Sequence, residues 1–445
     1  MKVAFINQPI DAILPPKQSS IGICTYGVAR QLARSCQVIV YGNREHDAHR
    51  KVGSNFYDDV GVHYRFLSAA PDKVVVRLFN LYSRLLKLFA SSHSQLTTAK
   101  PPISASRWFY PGYALKVAMD LRQQRCDIVH IQHSSQFAPI IRLLNPKVKI
   151  VLHLHAEWFP QCNFIILEQR LSYCDLVTSV SDFITNKNRK IFPQFADLFR
   201  TIYNGIDPLE FVNENNHNKA KKSDVKKVLY VGAISPHKGV HILLEAFKIV
   251  AKRYSQVQLE VVGPYNAYPI EEIIASDNKS MVDHLTPFYL GKRAANSTNY
   301  RVYLEKMLSS DIASKVSFTG QISRSELVNR FLNADIFVFP PIWDEGFGIP
   351  PVEAMIAGIP VVATRSGAIV ETVQDGKTGL LVDKGNALAL AEALLQFLEN
   401  DDLRESMGRA GQQRALDFFT WERIAEKMLQ QYQNLYEPAS KSSKP

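Results

Sequence analysis

The chain has 445 residues, and 52 Lys and Arg residues against 42 Asp and Glu residues give it a formal net charge of +10. That length predicts two or three domains with sizeable cores, and the positive charge favours anionic partners such as phosphates or acidic lipid surfaces. No basic run is long or aromatic-rich enough to predict nucleic-acid binding, and no apolar run reaches the roughly 18 residues of a membrane-spanning helix.

The cysteines are few and scattered, at Cys24, Cys36, Cys126, Cys162 and Cys174. They show neither a CxxC pair nor a Cys/His spacing typical of a metal site, so we expect reduced thiols in a cytoplasmic chain. The apolar stretch after Met1 is broken too soon for a signal peptide and predicts a first β-strand.

The first half of the chain alternates short β-branched runs with amphipathic stretches. This alternation predicts βαβ units, and hence a mostly parallel sheet with helices on both faces. The predicted strands span residues 2–7, 37–41, 127–131, 149–155, 175–181 and 200–203. Between the first two strands we expect a loop that contains Gly22, followed by a helix to about Arg34. The loop lacks the three-glycine dinucleotide fingerprint, so Gly22 alone is a weak sign of phosphate or acceptor binding.

A basic amphipathic helix is predicted from Lys73 to Phe89. One face is apolar, and the other carries Lys73, Arg77, Arg84 and Lys87 with no acidic residue. Because a charge recurs on almost every turn, the segment is not expected to span a bilayer. Two interpretations stay open: binding to an anionic membrane surface, and ordinary packing of a solvated helix on the sheet.

Two histidines stand at the end of the predicted strand 149–155. His153 and His155 share one face of that strand because side chains alternate along it. His155 lies nearer the strand end, where ligands gather in α/β folds, so we prefer it as a site residue. A histidine there donates to a ligand hydroxyl, acts as a base or simply packs.

A domain boundary is predicted at the turn residues from Tyr203 to Pro208. The polar stretch 213–226 has little to bury and predicts a linker. A second α/β unit follows, with predicted strands at residues 227–231, 258–262, 315–319, 335–340, 360–363 and 379–382. Residues 265–310 exceed a normal connection, so part of them is expected to be an inserted segment. Helices are predicted at residues 243–251, 386–400, 402–418 and 420–436.

Lys238 follows the first strand of this second unit, beside Gly239 at a helix start. A cation in that position is well placed to bind a diphosphate. Lysines are also common on protein surfaces, so an ordinary surface lysine is the alternative.

The stretch from Trp343 to Met355 is the strongest candidate ligand site in the sequence. A buried strand precedes it and two prolines follow, which predicts a strand, a loop and then a helix start. The loop contains Glu345, Gly346 and Gly348, and the helix carries Glu353. Glycines let the backbone approach a ligand, and unpaired N–H groups at a helix start favour an anion. A nucleotide sugar fits this pattern, and a Gly-rich turn without a ligand is the alternative.

These motifs together resemble family 4 of the retaining glycosyltransferases, which have the GT-B architecture. The segments that carry the resemblance are, in chain order, residues 204–207, 231–232, 238–239, the E-x7-E pair Glu345 and Glu353, residues 358–362, 376–380 and 419–422. They follow the family's order over nearly the whole chain, so the match is more specific than any single motif.

The resemblance implies an α/β fold with two Rossmann-like, doubly wound parallel sheets facing a cleft. Residues 1–205 would form an acceptor-side domain, completed by a C-terminal helix at about residues 419–437. Residues 206–418 would form the domain that binds the nucleotide sugar.

The resemblance also implies roles for the residues of the loop and helix. Glu345 would hold hydroxyls of the donor sugar near the reacting carbon, and Glu353 would hold the ribose hydroxyls. The backbone N–H groups of Phe347, Gly348 and Ile349 would meet a sugar hydroxyl and the phosphates.

Four more donor-site residues follow from the resemblance. Lys238 would neutralise the departing diphosphate, and Gly346 would belong to the donor-binding loop. Gly22 would bring backbone of the first domain close to the phosphates or acceptor. His155 would lie beside the sugar and, with Glu345, act in catalysis.

The expected activity is transfer of a hexose from a nucleotide diphosphate sugar to a glycan or lipid-linked acceptor, in polysaccharide biosynthesis. The family generally needs neither metal nor cofactor, and this sequence places no Asp-x-Asp to hold a metal beside a diphosphate. We expect a cytoplasmic enzyme, peripheral on the inner membrane face if the basic helix binds lipid.

One departure keeps a second function open. Many family members carry Arg where this chain has Ala233, as a second cation on the diphosphate. The alternative is therefore a catalytically silent nucleotide-sugar-binding subunit of a glycan-assembly complex. A phosphorylase-like enzyme would need an anchored cofactor or a further phosphate pocket, and the sequence shows neither.

Overall fold

The β-branched runs form two parallel sheets in the computed structural model. The structure describes residues 1–47, 54–70, 72–74, 77, 106–157, 159, 162–212, 224–266, 279–289, 297–308 and 310–436. It divides the chain into unit 1, Met1–Gly205 with Trp421–Pro445, and unit 2, Ile206–Thr420. The predicted α/β fold with two parallel sheets is confirmed.

The sheet of unit 1 has the strand order β3-β4-β2-β1-β5-β6-β7-β8. All neighbours pair in parallel except β3 and β4, which are antiparallel. Its central strands are buried along almost their whole length, as expected for a sheet covered on both faces. The strands are β1 Lys2–Ile6, β2 Gln37–Asn43, β3 Asn55–Tyr57, β4 His63–Leu67, β5 Ile128–Gln132, β6 Lys149–Leu154, β7 Leu176–Ser179 and β8 Phe199–Thr201.

The helices of unit 1 begin at polar caps or prolines. The Ser19 hydroxyl, for example, accepts the Gly22 N–H at 3.0 Å and starts the first helix. The helices are α1 Ser20–Leu32, α2 Arg44–Asp47, α3 Pro111–Gln124, α4 Ala138–Leu144, α5 Phe164–Leu171 and α6 Asp182–Ile191.

Unit 2 has an all-parallel sheet in the order β11-β10-β9-β12-β13-β14. Its strands are β9 Lys226–Val231, β10 Val257–Val262, β11 Val316–Gly320, β12 Ile336–Phe339, β13 Val361–Thr364 and β14 Gly379–Val382. Its helices are α7 Val240–Arg253, α8 Lys279–Tyr289, α9 Ser297–Met307, α10 Ser310–Ala313, α11 Arg324–Leu332, α12 Ile349–Ile356, α13 Ile369–Thr372, α14 Ala387–Glu399 and α15 Asp401–Phe418.

The last helix, α16 Trp421–Tyr436, belongs to unit 1. It is amphipathic, with a buried face of Trp421, Ile424, Ala425, Met428 and Tyr432. It packs against α1, and the Tyr432 hydroxyl lies 2.7 Å from His130 Nδ1 on β5. The Trp421 indole fills the space beside two glycines: a Cβ on Gly27 would lie 2.4 Å from it, and a Cβ on Gly205 would lie 2.5 Å from it.

Three local expectations differ from the structure. Gly22 lies in the first turn of α1 rather than in a loop, because the Ser19 side chain caps the helix directly before Ser20. His155 stands one residue beyond β6. β3 and β4 were not predicted, because polar residues alternate with the two buried aromatic side chains of β4, Tyr64 and Phe66.

Several expectations fall on parts of the chain outside the described residues. Most of the predicted basic helix lies there, since only Lys73, Val74 and Arg77 of residues 73–89 are described. Most of the predicted linker and part of the insert 265–310 lie there too. Within the described parts, no helix combines the length and the apolar character needed to cross a bilayer.

Candidate functional site

The candidate donor site lies where the strand order of unit 2 reverses. Beyond β9 the order runs one way through β10 and β11, and the other way through β12, β13 and β14. In parallel α/β sheets the loops after the two strands at such a reversal form the usual ligand site. Here the loop after β9 leads to Lys238, and the loop after β12 leads to Glu345.

Lys238 and Glu345 are in direct contact. Lys238 Nζ lies 2.5 Å from Glu345 Oε1, and the Trp343 indole Nε1 donates to the same oxygen at 2.7 Å. The ammonium also lies 5.0 Å from the centre of the Trp343 ring and 5.7 Å from that of Phe339. The carboxylate is thus anchored through Oε1. No described residue bonds Oε2, so its lone pairs can accept from a hydroxyl donor.

The loops after β9 and β12 are held together by a main-chain hydrogen bond and a contact between two rings. The Ile342 N–H donates to the His237 carbonyl at 2.9 Å, and the His237 and Trp343 rings lie 4.6 Å apart. A third loop, after β13, contributes as well: its Ala368 N–H donates to the Glu345 carbonyl at 2.9 Å. These bonds fix Glu345 before any ligand arrives, which lowers the entropy cost of binding.

Burial strengthens the electrostatic interactions between the charges of this cluster. Glu345 is 6% exposed, so water screens its contact with Lys238 only weakly. Burial, followed by the charge of Glu345, raises the pKa of Tyr230 well above its usual value. Tyr230 therefore stays a neutral donor, and its hydroxyl bonds the Ala233 carbonyl at 2.9 Å.

Helix α12 begins directly after this cluster. Gly348 is its N-cap with φ +81°, and among the described residues no side chain caps the helix start. The left-handed backbone angle favours glycine here, and a Cβ on Gly348 would in addition lie 2.4 Å from Ile369 Cδ1, so that side chain would have to shift. The first N–H groups of a helix lack intrahelical partners, so this start is suited to an anion. The N–H groups of Phe347, Gly348 and Ile349 and the preceding Gly346 all lie at this helix start or in the loop before it.

Glu353, on α12, contacts a residue that the sequence analysis missed. Arg324, the first residue of α11, forms ion pairs with Glu353 and with Glu210, the second at 2.5 Å. The bond to Glu353 is made through its Oε1. A carboxylate has about four acceptor positions, so Glu353 retains capacity to accept from further donors. A cation at a helix start after a parallel strand is the signal that marks Arg324.

The two predicted site residues of unit 1 have different surroundings. His155 is half-buried, and its ring lies 4.6 Å from that of His153 and 6.3 Å from that of His133. Burial, followed by the neighbouring histidines, holds the pKa of His155 well below its usual value, so it is neutral at pH 7. Gly22 donates its N–H to Ser19, and a Cβ there would lie 1.9 Å from the Ala12 carbonyl oxygen. Close packing therefore accounts for the glycine.

The structure thus brings the predicted donor-site residues of unit 2 into one region and places His155 and Gly22 in unit 1. Across the described ranges, no group of three or more His, Cys, Asp or Glu side chains is arranged to hold a metal ion.

Models of two protein families match the chain, one in each half. The model described as Glycosyltransferase Family 4 matches residues 21–209. The model described as Glycosyl transferases group 1 matches residues 212–414. Together they cover both units.

Individual proteins are similar to the chain over most of its length. A putative glycosyltransferase, YtcC, of Bacillus subtilis is 25% identical over 75% of this chain and 79% of its own. The lipopolysaccharide 1,2-N-acetylglucosaminetransferase of Salmonella typhimurium is 24% identical over 98% of this chain and 99% of its own. The solved structure of Anabaena HepE in complex with UDP-glucose is 17% identical, with a TM-score of 0.64 over 97% of this chain and 99% of that one. The structural likeness shows the fold, which is GT-B.

Proposed function

The chain belongs to glycosyltransferase family 4, and we propose that it is a metal-independent, retaining hexosyltransferase that uses a nucleotide diphosphate sugar. The acceptor in this proposal is a glycan or a lipid-linked glycan. The family assignment carries the general activity, sugar transfer, and the arrangement of side chains in unit 2 supports the finer statement.

The contact between Lys238 and Glu345 is the observation that carries the proposal. It joins a cation and a carboxylate at 2.5 Å where the sheet order reverses, beside the uncapped start of α12. Lys238 stabilises the negative charge that grows on the diphosphate as the sugar leaves, and the start of α12 supports the same charge. Glu345 accepts from sugar hydroxyls through Oε2 and holds the reacting carbon in place.

Arg324 and Glu353 complete the donor site in this proposal. Glu353 is 5% exposed and held by the Arg324 guanidinium, so its carboxylate is fixed in orientation. A fixed carboxylate is suited to the two neighbouring hydroxyls of a ribose. Ala233 supplies no cation, so we assign the neutralisation of the diphosphate to Lys238.

The names of the relatives support the proposed substrates. HepE was solved with UDP-glucose, and the Salmonella relative is named for lipopolysaccharide. A cytoplasmic location, and attachment to the inner membrane face through residues 73–89, remain part of the proposal. Liposome flotation of wild type against a variant with Lys73, Arg77, Arg84 and Lys87 neutralised tests that part.

The test of the enzyme proposal is the Glu345→Gln variant. A thermal-shift screen against nucleotide sugars first identifies the donor, because a ligand of the folded form raises its Tm. Release of nucleoside diphosphate and transfer to an acceptor glycan are then measured. Glu345→Gln should lower kcat by about 10²–10³-fold, because it removes a charge aimed at the reacting sugar.

Glu392→Gln is the matched control. Glu392 lies on α14 in an exposed ion pair with Arg253, with 49% of its side chain accessible, and its loss should leave the rate unchanged. Full activity in Glu345→Gln would contradict the site assignment. A wild-type chain that binds a nucleotide sugar but releases no nucleoside diphosphate would instead favour the silent binding subunit.

A further inference from the structure

The start of the insert 265–310 is tied to the loop that carries Lys238. The Ile234 N–H donates to the Pro264 carbonyl at 2.8 Å, and Ile234 forms a parallel β-bridge with Tyr265. Ile234 lies four residues before Lys238. The first residue of the insert is therefore joined to the donor-site loop by its main chain.

The two longer helices of the insert pack beside the same loop. α8 contacts the short 3-10 helix Pro236–Lys238, and α9 packs against α7. The rings of Phe288 on α8 and His241 on α7 lie 4.5 Å apart, and the Tyr300 ring on α9 meets Phe288 edge-on at 5.9 Å. All three side chains are buried. The insert and the start of α7 thus share one apolar cluster.

α7 begins at a residue that cannot cap it with a side chain. Gly239 is its N-cap, so the first N–H groups of the helix need partners from elsewhere. The Tyr300 hydroxyl accepts the His241 N–H at 3.2 Å and lies 2.9 Å from His241 Nδ1. Burial raises the pKa of Tyr300 well above its usual value, so this hydroxyl keeps its proton. A residue of the insert therefore caps the helix that begins beside Lys238.

The turn between Lys238 and α7 has little room to move. A Cβ on Gly239, which has φ +73°, would lie 1.9 Å from the Pro340 carbonyl oxygen. Lys238 precedes His241 by only three residues. The bond that holds the His241 N–H therefore also limits where the Lys238 ammonium can lie.

We propose that the insert is a positioning element of the donor site: the Tyr300 hydroxyl fixes the first turn of α7 and thereby holds the Lys238 ammonium opposite Glu345. Tyr300 is a positioning residue, because it acts on a ligand only through Lys238. The inference rests on the proposed function for the nature of that ligand, a nucleoside diphosphate group. The restraint on Lys238 itself is a property of the free protein. A cation held in place in advance lowers the entropy cost of binding a diphosphate.

The first test needs no ligand. An acylating reagent modifies Lys238 only when the ammonium leaves Glu345 and loses a proton, so the rate of modification reports local opening of the loop. Mass spectrometry of the digested full chain measures this rate at low extents of modification. Tyr300→Phe should raise it about twofold to tenfold, the effect of one neutral hydrogen bond. Lys384, which pairs with Asp344 in the same unit, should keep its rate.

Tyr289→Phe is the matched control. Tyr289 is a second tyrosine of the insert, on α8, and its buried hydroxyl bonds no described residue. Its variant loses the same atom as Tyr300→Phe without touching α7. The rate at Lys238 should therefore stay at the wild-type value.

The second test measures binding by isothermal titration calorimetry. The probes are whichever of UDP, GDP, ADP and dTDP raises the Tm most, and the matching nucleoside. Tyr300→Phe should weaken the nucleoside diphosphate about twofold to tenfold and leave the nucleoside unchanged, because a nucleoside has no phosphate for Lys238 to contact. In a Lys238→Met background, Tyr300→Phe should cause no further loss, since the residue through which it acts is gone.

The outcomes separate the inference from the proposed function. Equal weakening of both probes, a loss that adds in full to that of Lys238→Met, or an unchanged modification rate at Lys238 would each overturn the inference and leave the enzyme assignment intact. A wild-type chain that binds none of the four nucleoside diphosphates would overturn the proposed function. The modification rates in the free protein would then still decide whether Tyr300 positions Lys238.

Discussion

The Glu345 carboxylate is a buried anion with two donors on one oxygen. Lys238 and Trp343 contact Oε1 at 2.5 and 2.7 Å, and the side chains of Lys238 and Glu345 are 17% and 8% exposed. Removing one partner of a buried ion pair leaves an uncompensated charge, which costs more than an exposed pair contributes. The same pair therefore matters for stability as well as for the proposed donor site.

Lys238→Met should lower the free energy of unfolding of unit 2 by about 3–5 kcal/mol. Urea unfolding followed by fluorescence and circular dichroism measures the change. Adding Glu345→Gln should recover part of the loss, because the unpaired charge is gone. Arg253→Met breaks the exposed pair with Glu392 and should change stability by only about 0–1 kcal/mol. Equal losses in the two single variants would contradict the buried-pair argument.

Single residues were predictable where a local motif marks them. The strand-loop-helix pattern around Glu345 and the glycine beside Lys238 place both residues at the reversal of the sheet, and the structure adds their mutual contact. Their roles toward a donor stay predictions. Arg324 was missed because its partners, Glu210 and Glu353, are distant in sequence. The local sign that was available, a cation at a helix start after a parallel strand, indicates a ligand position but not these contacts.

At the scale of the element, helix α12 depends on the conformation of its first turn. Gly348→Ala should lower stability by about 1–3 kcal/mol, because it combines a left-handed backbone with a contact to Ile369. Gly376→Ala is the control: it has φ +71° with open space around the added Cβ. The difference between the two losses of unfolding free energy, measured by urea unfolding, gives the contribution of the Ile369 contact. A smaller loss for Gly348→Ala than for Gly376→Ala would show that no such collision exists.

The parallel core was the most predictable part of the fold. All predicted strands of both sheets have observed counterparts, because fully buried strands read as continuous β-branched runs. β3, at the sheet edge, and its neighbour β4 were missed because polar residues interrupt their apolar pattern: Arg65 on β4, for example, pairs with Asp120 at 2.5 Å. The start of α1 was misplaced because the Ser19 cap outweighs the glycine that follows it.

At the scale of the whole molecule, a group of neutral histidines makes unit 1 sensitive to acid. Burial lowers the pKa of His153 to about 3 and that of His133 to about 4, and holds those of His130 and His155 well below their usual value. Unfolding returns each pKa to about 6.5, so the unfolded chain binds more protons below that pH. The stabilisation that comes from keeping these histidines neutral is fully present above about pH 6.5. It is lost as the pH falls toward about 4.

Each such histidine should contribute a slope of up to about 1.4 kcal/mol per pH unit between about pH 6 and pH 4. Urea unfolding at a series of pH values measures the slope for wild type and for His153→Gln, in which it should be smaller. Thr185 is a buried residue of unit 1 whose hydroxyl contacts Thr201 and the Arg200 carbonyl, and Thr185→Val, which changes no histidine, should keep the wild-type slope. Identical slopes in all three proteins would exclude His153 as a source of the acid sensitivity.

Unit 1 is built from the two ends of the chain, with all of unit 2 between them. On the ribosome, residues 1–205 emerge before unit 2, but α16, which packs against α1, emerges after unit 2. Multidomain proteins generally fold from the N-terminus during synthesis. Here unit 2 can fold before unit 1 is complete. Its sequence is finished while the residues of unit 1 that pack against Trp421 are still exposed. We therefore expect the chain to be more prone to aggregation during that interval than after folding is complete.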